Sequence, residues 1–207
     1  MRDAATATEP CAALAERDPV LADLISRHGC PNPFAWPEGD TIGGTDPFAA
    51  LLLHITGQQI SIAAALAIYG RVLALLDSAP TPERLLDLSP AALRGAGLSR
   101  AKVAAFHDLA ERVVDGRLAF DRLAAGGDEA VLAELTAVRG IGPWSAQMFM
   151  LHELRRPDVL PAADIGLRKA AQALFALEAV PRPNELAELG RTWAPYRSYA
   201  AALLWSA

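Results

Sequence analysis

Residues 135–151 read LTAVRGIGPWSAQMFML, and this stretch decides the fold. Two helical segments meet at Gly140-Ile141-Gly142, and Pro143 is suited to open the second of them. A glycine has no Cβ, so it can take positive φ and lets another backbone come close. Ile141, between the two, plugs back into the helix pair and fixes the turn. The N–H groups that begin the second helix can then hydrogen-bond a phosphate oxygen, helped by the helix dipole. A tight corner between two packed helices would use the same glycines, and from these three residues alone both readings stand.

Outward from this hairpin the chain reads as helices with short breaks. Pro10 to His28 carries Leu14, Val20, Leu21, Leu24 and Ile25 on one broad face and ends at Gly29. HGCPNPFAWPEGDTIGG is dense in proline and glycine and reads as a loop. Asp46-Pro47 then caps and opens PFAALLLHIT, which is apolar almost all round and therefore central. A second apolar helix runs from Ser61 to Leu76. Thr81-Pro82 and Ser89-Pro90 start two short helices, and Ser99 to Val114 is amphipathic. Further helices are predicted over Asp128–Leu135, Pro143–Leu154, Asp164–Leu177 and Pro195–Trp205. No alternating pattern bounded by hairpin turns appears. The prediction is an all-α chain of about ten helices.

Composition narrows the class. Of 207 residues 52% are hydrophobic and 21% charged, which excludes disorder. No apolar run approaches the roughly 18 residues of a membrane helix. The start, MRDAATATEP, has no apolar h-region, so a cytoplasmic, nucleoid-associated protein without a secretory signal is expected. Two cysteines, Cys11 and Cys30, exclude a four-thiolate iron–sulfur cluster, and no disulfide scaffold is expected. His28, His54, His107 and His152 show no ligand spacing, so no catalytic metal is expected. The net charge of −5 is unevenly spread: residues 1–60 hold three basic against eight acidic residues, and residues 139–207 hold eight against six. An anion would be held by the C-terminal third, although a mixed solvated surface has the same composition.

Leu135, Val138, Gly140, Ile141, Gly142 and Ala146 resemble the helix-hairpin-helix signature, and a lone acid, Asp164, follows in DVLPAADIGLRKA. With DPFAALLLHITGQQIS and RTWAPYRSYAAALLW these pieces stand in the order seen in the HhH-GPD superfamily of DNA glycosylases. The resemblance is to its 3-methyladenine DNA glycosylase II group, from about Asp46 to Trp205. It implies an all-α core of two helical lobes (46–207, hairpin 135–151), with Asp164 and the hairpin lining the cleft. Residues 1–45 are expected to form a helix and a Pro/Gly-rich loop packing on that core, and no N-terminal α/β domain is expected.

Asp164 precedes an apolar helix, which by itself reads as an N-cap. The resemblance makes it the catalytic carboxylate, and the two roles are compatible because a cap holds a carboxylate still and ionised. Ala163 stands where relatives have a further acid. Bifunctional relatives carry a lysine at the position of Trp144, so simple hydrolysis without an imine is expected; neither Lys102 nor Lys169 sits where that role requires. Trp144 and Trp205 match positions lining the base pocket, and Met148 stands where relatives can carry an aromatic. Phe48, Phe149 and Met150 read as core, and Trp193 and Trp36 as packing, with Trp36 also placed to cover the pocket. Gln58 and Gln59 match the intercalating loop, Gly57 lets it approach a groove, and Ser61 caps the next helix.

Gly140, Ile141, Gly142, Arg139, Arg168 and Lys169 are the candidate DNA backbone contacts. The carbonyls of Thr136, Val138 and Ile141 correspond to a monovalent-cation site, Na+ or K+; no other cofactor is implied. The expected function is removal of alkylated purines from damaged double-stranded DNA by a monomer that does not touch membranes. A glycosylase of another lesion specificity, or a non-catalytic DNA-binding module, remains the alternative.

Overall fold

The computed structural model describes residues 8–35 and 46–207, and every regular element among them is helical. The expectation for Trp36 lies outside the described residues. In chain order the helices are α1 (Thr8–Arg17), α2 (Pro19–His28), α3 (Pro47–Gly57), α4 (Ile62–Leu75), α5 (Pro82–Asp87), α6 (Pro90–Gly95) and α7 (Arg100–Val114). They continue with α8 (Phe120–Ala125), α9 (Asp128–Thr136), α10 (Pro143–His152), α11 (Ile165–Leu174) and α12 (Pro183–Leu189). A 3-10 turn (Gly190–Trp193) and α13 (Arg197–Trp205) complete the series. Two compact units result: residues 8–35 join 155–207 in one, and residues 46–154 form the other.

Most starts follow from capping. Asp46 Oδ1 accepts from the Phe48 N–H at 2.9 Å, and Ser61, Thr81, Ser89 and Ser99 cap α4 to α7 in the same way. The same chemistry corrects one expectation. Residues 10–28 are two helices, because Asp18 takes an extended conformation and accepts from the Val20 and Leu21 N–H groups, with Pro19 opening α2. Helices α8 and α12 also went unpredicted; at six and seven residues they are too short to show a period.

In the 46–154 unit, α3 buries Phe48, Leu51, Leu52 and Ile55 and packs on α4, α7 and α10. Val103, Phe106 and Leu109 of α7 join this core with Leu135, Val138, Phe149 and Leu151. Each such side chain contributes about 1.5–3 kcal/mol by leaving water. In the other unit Leu14, Leu21, Leu24, Leu167, Leu186, Trp193 and Leu203 cluster. Trp193 is fully buried, and its indole N–H donates to Asp18 Oδ2 at 2.8 Å, so one carboxylate caps α2 and satisfies the ring.

Cys11 and Cys30 are joined in a disulfide, their Cα atoms 5.9 Å apart, where none was expected. The corner between α1 and α2 folds the chain back on itself, and nothing in the spacing of the two cysteines announces that approach.

Candidate functional site

The hairpin closes through two backbone bonds, Val138 N–H to Leu135 O and Ile141 N–H to Val138 O, each 3.1 Å. Its two glycines differ. Gly140 has φ +80°, and a Cβ there would stand 3.1 Å from the Ala105 Cβ on α7. Gly142 has φ −86°, as any residue can, and the space at its Cβ position is open. The expectation of positive φ therefore holds for Gly140 alone. Gly142 is the N-cap of α10 and brings no side-chain oxygen to that helix's first turn. Ile141 is buried between the helices, as its plug role requires.

Polar links among the described residues hold the hairpin from outside. The Arg139 N–H donates to Asp108 Oδ2 at 2.7 Å, and the same oxygen accepts from Arg112 Nε at 2.8 Å. Burial pushes the Asp108 carboxyl up, but the Arg139 N–H, the Arg112 guanidinium and the charge of Arg117 together hold it below the ordinary value. A further link is Gln58, the C-cap of α3, whose Nε2 donates to Gly140 O at 2.9 Å and Ser145 Oγ at 3.1 Å. Gln59, exposed and at φ +59°, makes the sharp exit from α3. The glutamine pair, grouped in the sequence, thus divides into a tethered residue and an exposed one.

Around them Trp144 is 38% exposed, Met148 is half-buried, and Phe48, Phe149 and Met150 lie in the core as expected. The Val138 carbonyl is in use by Ile141 N–H but keeps a second lone pair. The oxygens offered by Thr136, Val138 and Ile141 would be neutral carbonyls, a donor set suited to a monovalent cation. Among the described residues no cluster of His, Cys, Asp or Glu could hold a metal ion. His54 of α3 is half-buried with its Nε2 shielded from solvent, and desolvation of the ring, with repulsion from His152 adding to it, lowers its pKa to about 3, so it is neutral.

Asp164 lies in the other unit. It caps α11, its Oδ1 accepting from the Leu167 N–H at 2.9 Å and from Trp205 Nε1 at 3.3 Å. The segment leading to it is pinned to α13. The buried Ser198 hydroxyl donates to Arg156 O at 2.6 Å and accepts from Val159 N–H at 3.0 Å, while Arg197 grips both oxygens of Asp158 at 2.8 Å. Gly166 sits under the carboxylate: a Cβ there would be 3.0 Å from Asp164 Oδ1 and 3.9 Å from the Trp205 ring. Arg168 turns its Nε to Pro181 O at 2.6 Å, and Lys169 is exposed. Sequence reasoning singled out Asp164 and Trp205 separately but not their bond, and it passed over Gly166, Ser145 and Asp108. The D-x-G spacing was the available signal for Gly166.

A half-buried carboxylate held by a helix N-terminus and an indole can stabilise adjacent positive charge or accept a proton from water. A glycine turn opening a helix can take a phosphate oxygen. With the all-helical fold, the glycine turn of one unit defines a helix-hairpin-helix protein, and the other unit carries the capped carboxylate. The model of the HhH-GPD superfamily of base excision DNA repair proteins matches residues 53–195, and the chain belongs to that superfamily. The crystal structure of a DNA-3-methyladenine glycosidase from Bacillus halodurans is similar at a TM-score of 0.84 and 36% identity, over 97% of this chain and 89% of that one. A Schizosaccharomyces pombe 3-methyladenine DNA glycosylase, solved in complex with abasic DNA, is similar at 0.83 and 26% identity, covering 96% of each chain. In sequence, DNA-3-methyladenine glycosylase 1 of Schizosaccharomyces pombe is 29% identical over 163 residues, 77% of this chain and 72% of the relative. The chain spans only 44% of the length of a Bacillus subtilis relative to which it is 34% identical. No helix among the described residues is long and apolar enough to cross a membrane.

Proposed function

We propose that this protein is a DNA glycosylase that hydrolyses the N-glycosidic bond of alkylated purines, of the 3-methyladenine type, in duplex DNA. The observation that carries the reading is Asp164, a carboxylate fixed at a helix N-terminus by the Leu167 N–H and the Trp205 indole. Bond cleavage builds oxocarbenium-like charge on the deoxyribose, which Asp164 stabilises while it orients or deprotonates the attacking water. One carboxylate suffices for an alkylated purine, which already carries positive charge and leaves readily.

By the family resemblance, Trp144 and Met148 of one unit and Trp205 of the other are the base-recognition residues, and each exposed indole can offer a face to a cationic ring. Gln59 fills the gap left by the extruded nucleotide, and Gln58 anchors its loop. Gly140, Ile141, Gly142, Arg139 and Lys169 hold phosphates; Arg168 is committed to Pro181 O through Nε and contributes chiefly its charge. The carbonyls of Thr136, Val138 and Ile141 would hold Na+ or K+, which would supply positive charge to the hairpin. With Trp144 in place of a lysine the enzyme is monofunctional, and it acts as a monomer.

Release of free methylated base from alkylated duplex DNA tests this reading. Wild type should release 3-methyladenine, leave the abasic strand uncut and form no adduct trapped by borohydride. Asp164→Asn should lose release while still binding DNA. Equal inactivity of both with intact binding would mark a DNA-binding module, and release only from oligonucleotides carrying other single lesions would move the specificity.

A further inference from the structure

Lys102, Ala105 and Asp108 lie three residues apart on one face of α7, and each meets one of the two segments that the proposed function places on DNA. The Lys102 ammonium donates to Thr56 O at 2.7 Å and Gln58 O at 2.9 Å, the carbonyls at the C-terminus of α3. Ala105 is the neighbour against which Gly140 packs without a Cβ. Asp108 holds the Arg139 N–H at the hairpin's entry. Between the two segments runs the Gln58 amide, joined to Gly140 O and Ser145 Oγ.

We infer that α7 is the platform that sets the loop 58–61 in register with the hairpin, and that Lys102 is the positioning residue for that loop. A cation suits the place. The last carbonyls of a helix lack intrahelical donors and carry the negative end of its dipole, and Lys102 supplies both donors and charge. The half-buried ammonium is held below its ordinary pKa by desolvation. With Lys102 in place, the chain leaves α3 as one fixed turn and Gln59 enters its positive-φ conformation from a defined start. Without it, two carbonyls lose their partner, the exit turn relaxes, and the side chain that must enter the duplex is presented over a range of positions. Positioning on rigid support is worth rate even far from the reacting atoms.

The inference rests on the glycosylase reading, and the test separates the two. Single-turnover release is measured for wild type, Lys102→Met and Lys102→Arg on one lesion in two duplexes. In the first the lesion is normally paired; in the second it faces an abasic gap, where nothing must be unpaired and the loop has little to do. Lys102→Met should be roughly tenfold slower on the paired lesion, the scale of one lost charge-assisted hydrogen bond, and nearly unchanged on the gapped one. Lys102→Arg, which keeps charge and donors, should recover most of the loss. Thermal melting accompanies each variant, and Lys102→Gln replaces Lys102→Met if the latter melts below the assay temperature. Equal slowing on both duplexes, or none on either, overturns the positioning role with the glycosylase reading intact. A wild type that releases nothing from either duplex overturns both.

Discussion

The indole Nε1 of Trp205 donates to Oδ1 of Asp164 at 3.3 Å, so the aromatic residue at the end of α13 is a hydrogen-bond partner of the acid at the start of α11. Trp205 is 37% exposed, so its ring keeps a solvent-facing surface while its N–H faces the carboxylate. Trp205→Phe separates these two duties, since phenylalanine keeps an aromatic face and loses the donor. Losing one such bond costs about 1 kcal/mol, roughly fivefold in rate. The expected result is a several-fold fall in kcat with KM for alkylated DNA little changed. A rise in KM alone would assign Trp205 to base stacking only.

Gly166→Ala should separate stability from activity. Alanine favours a helix interior over glycine by about 0.5–1 kcal/mol, and in the first turn of α11 this gain is offset by any disturbance of the Asp164 cap, so melting should change little. Its Cβ would stand 3.0 Å from Asp164 Oδ1, tighter than most such contacts, so the carboxylate must give by some tenths of an ångström. Base release should fall several-fold while DNA affinity is retained. Unchanged release at unchanged Tm would show that the acid's position is not set from below.

The hairpin shows what could be read from residue types and what could not. Gly140 and Gly142 are indistinguishable in sequence, yet one is required by its backbone and by Ala105, and the other by neither. The helices around them were legible because caps, prolines and periodic apolar positions are local signals. The link from Gln58 to Gly140 spans 82 positions and the one from Arg139 to Asp108 spans 31, and contacts across such distances leave no local pattern. Lys102 illustrates the same limit: its residue type suggests a nucleophile and its position does not suit that role, and only its neighbours give it another.

The difference between the two glycines is testable. Gly140→Ala forces a side chain into positive φ and against Ala105, and should cost about 1–2 kcal/mol of stability in urea unfolding. Gly142→Ala should leave stability within about 0.5 kcal/mol. Gly142→Arg, placed where a phosphate is expected to lie, should weaken binding alike to DNA of different sequence. A sequence-dependent loss would mean that the turn reads bases instead of backbone.

Acid should weaken the 46–154 unit through His54. A free imidazole titrates near 6.5, and this one is held at about 3 by burial and by His152. Between those values the unfolded chain takes up a proton that the folded chain excludes, so stability is complete above about 6.5 and falls as pH drops toward 3. The slope approaches about 1.4 kcal/mol per pH unit once the unfolded imidazole is mostly protonated. His54→Leu, similar in bulk and without a titrating group, removes this contribution. Urea unfolding at pH 7, 6 and 5 should therefore show the wild type losing about 2 kcal/mol more than the variant by about pH 5. That window lies above the range in which Asp108 and Asp158, both held below their ordinary values, take up protons. The carboxylates therefore contribute alike to both proteins. Parallel curves for wild type and variant would mean that His54 is charged, or solvated, in the folded chain.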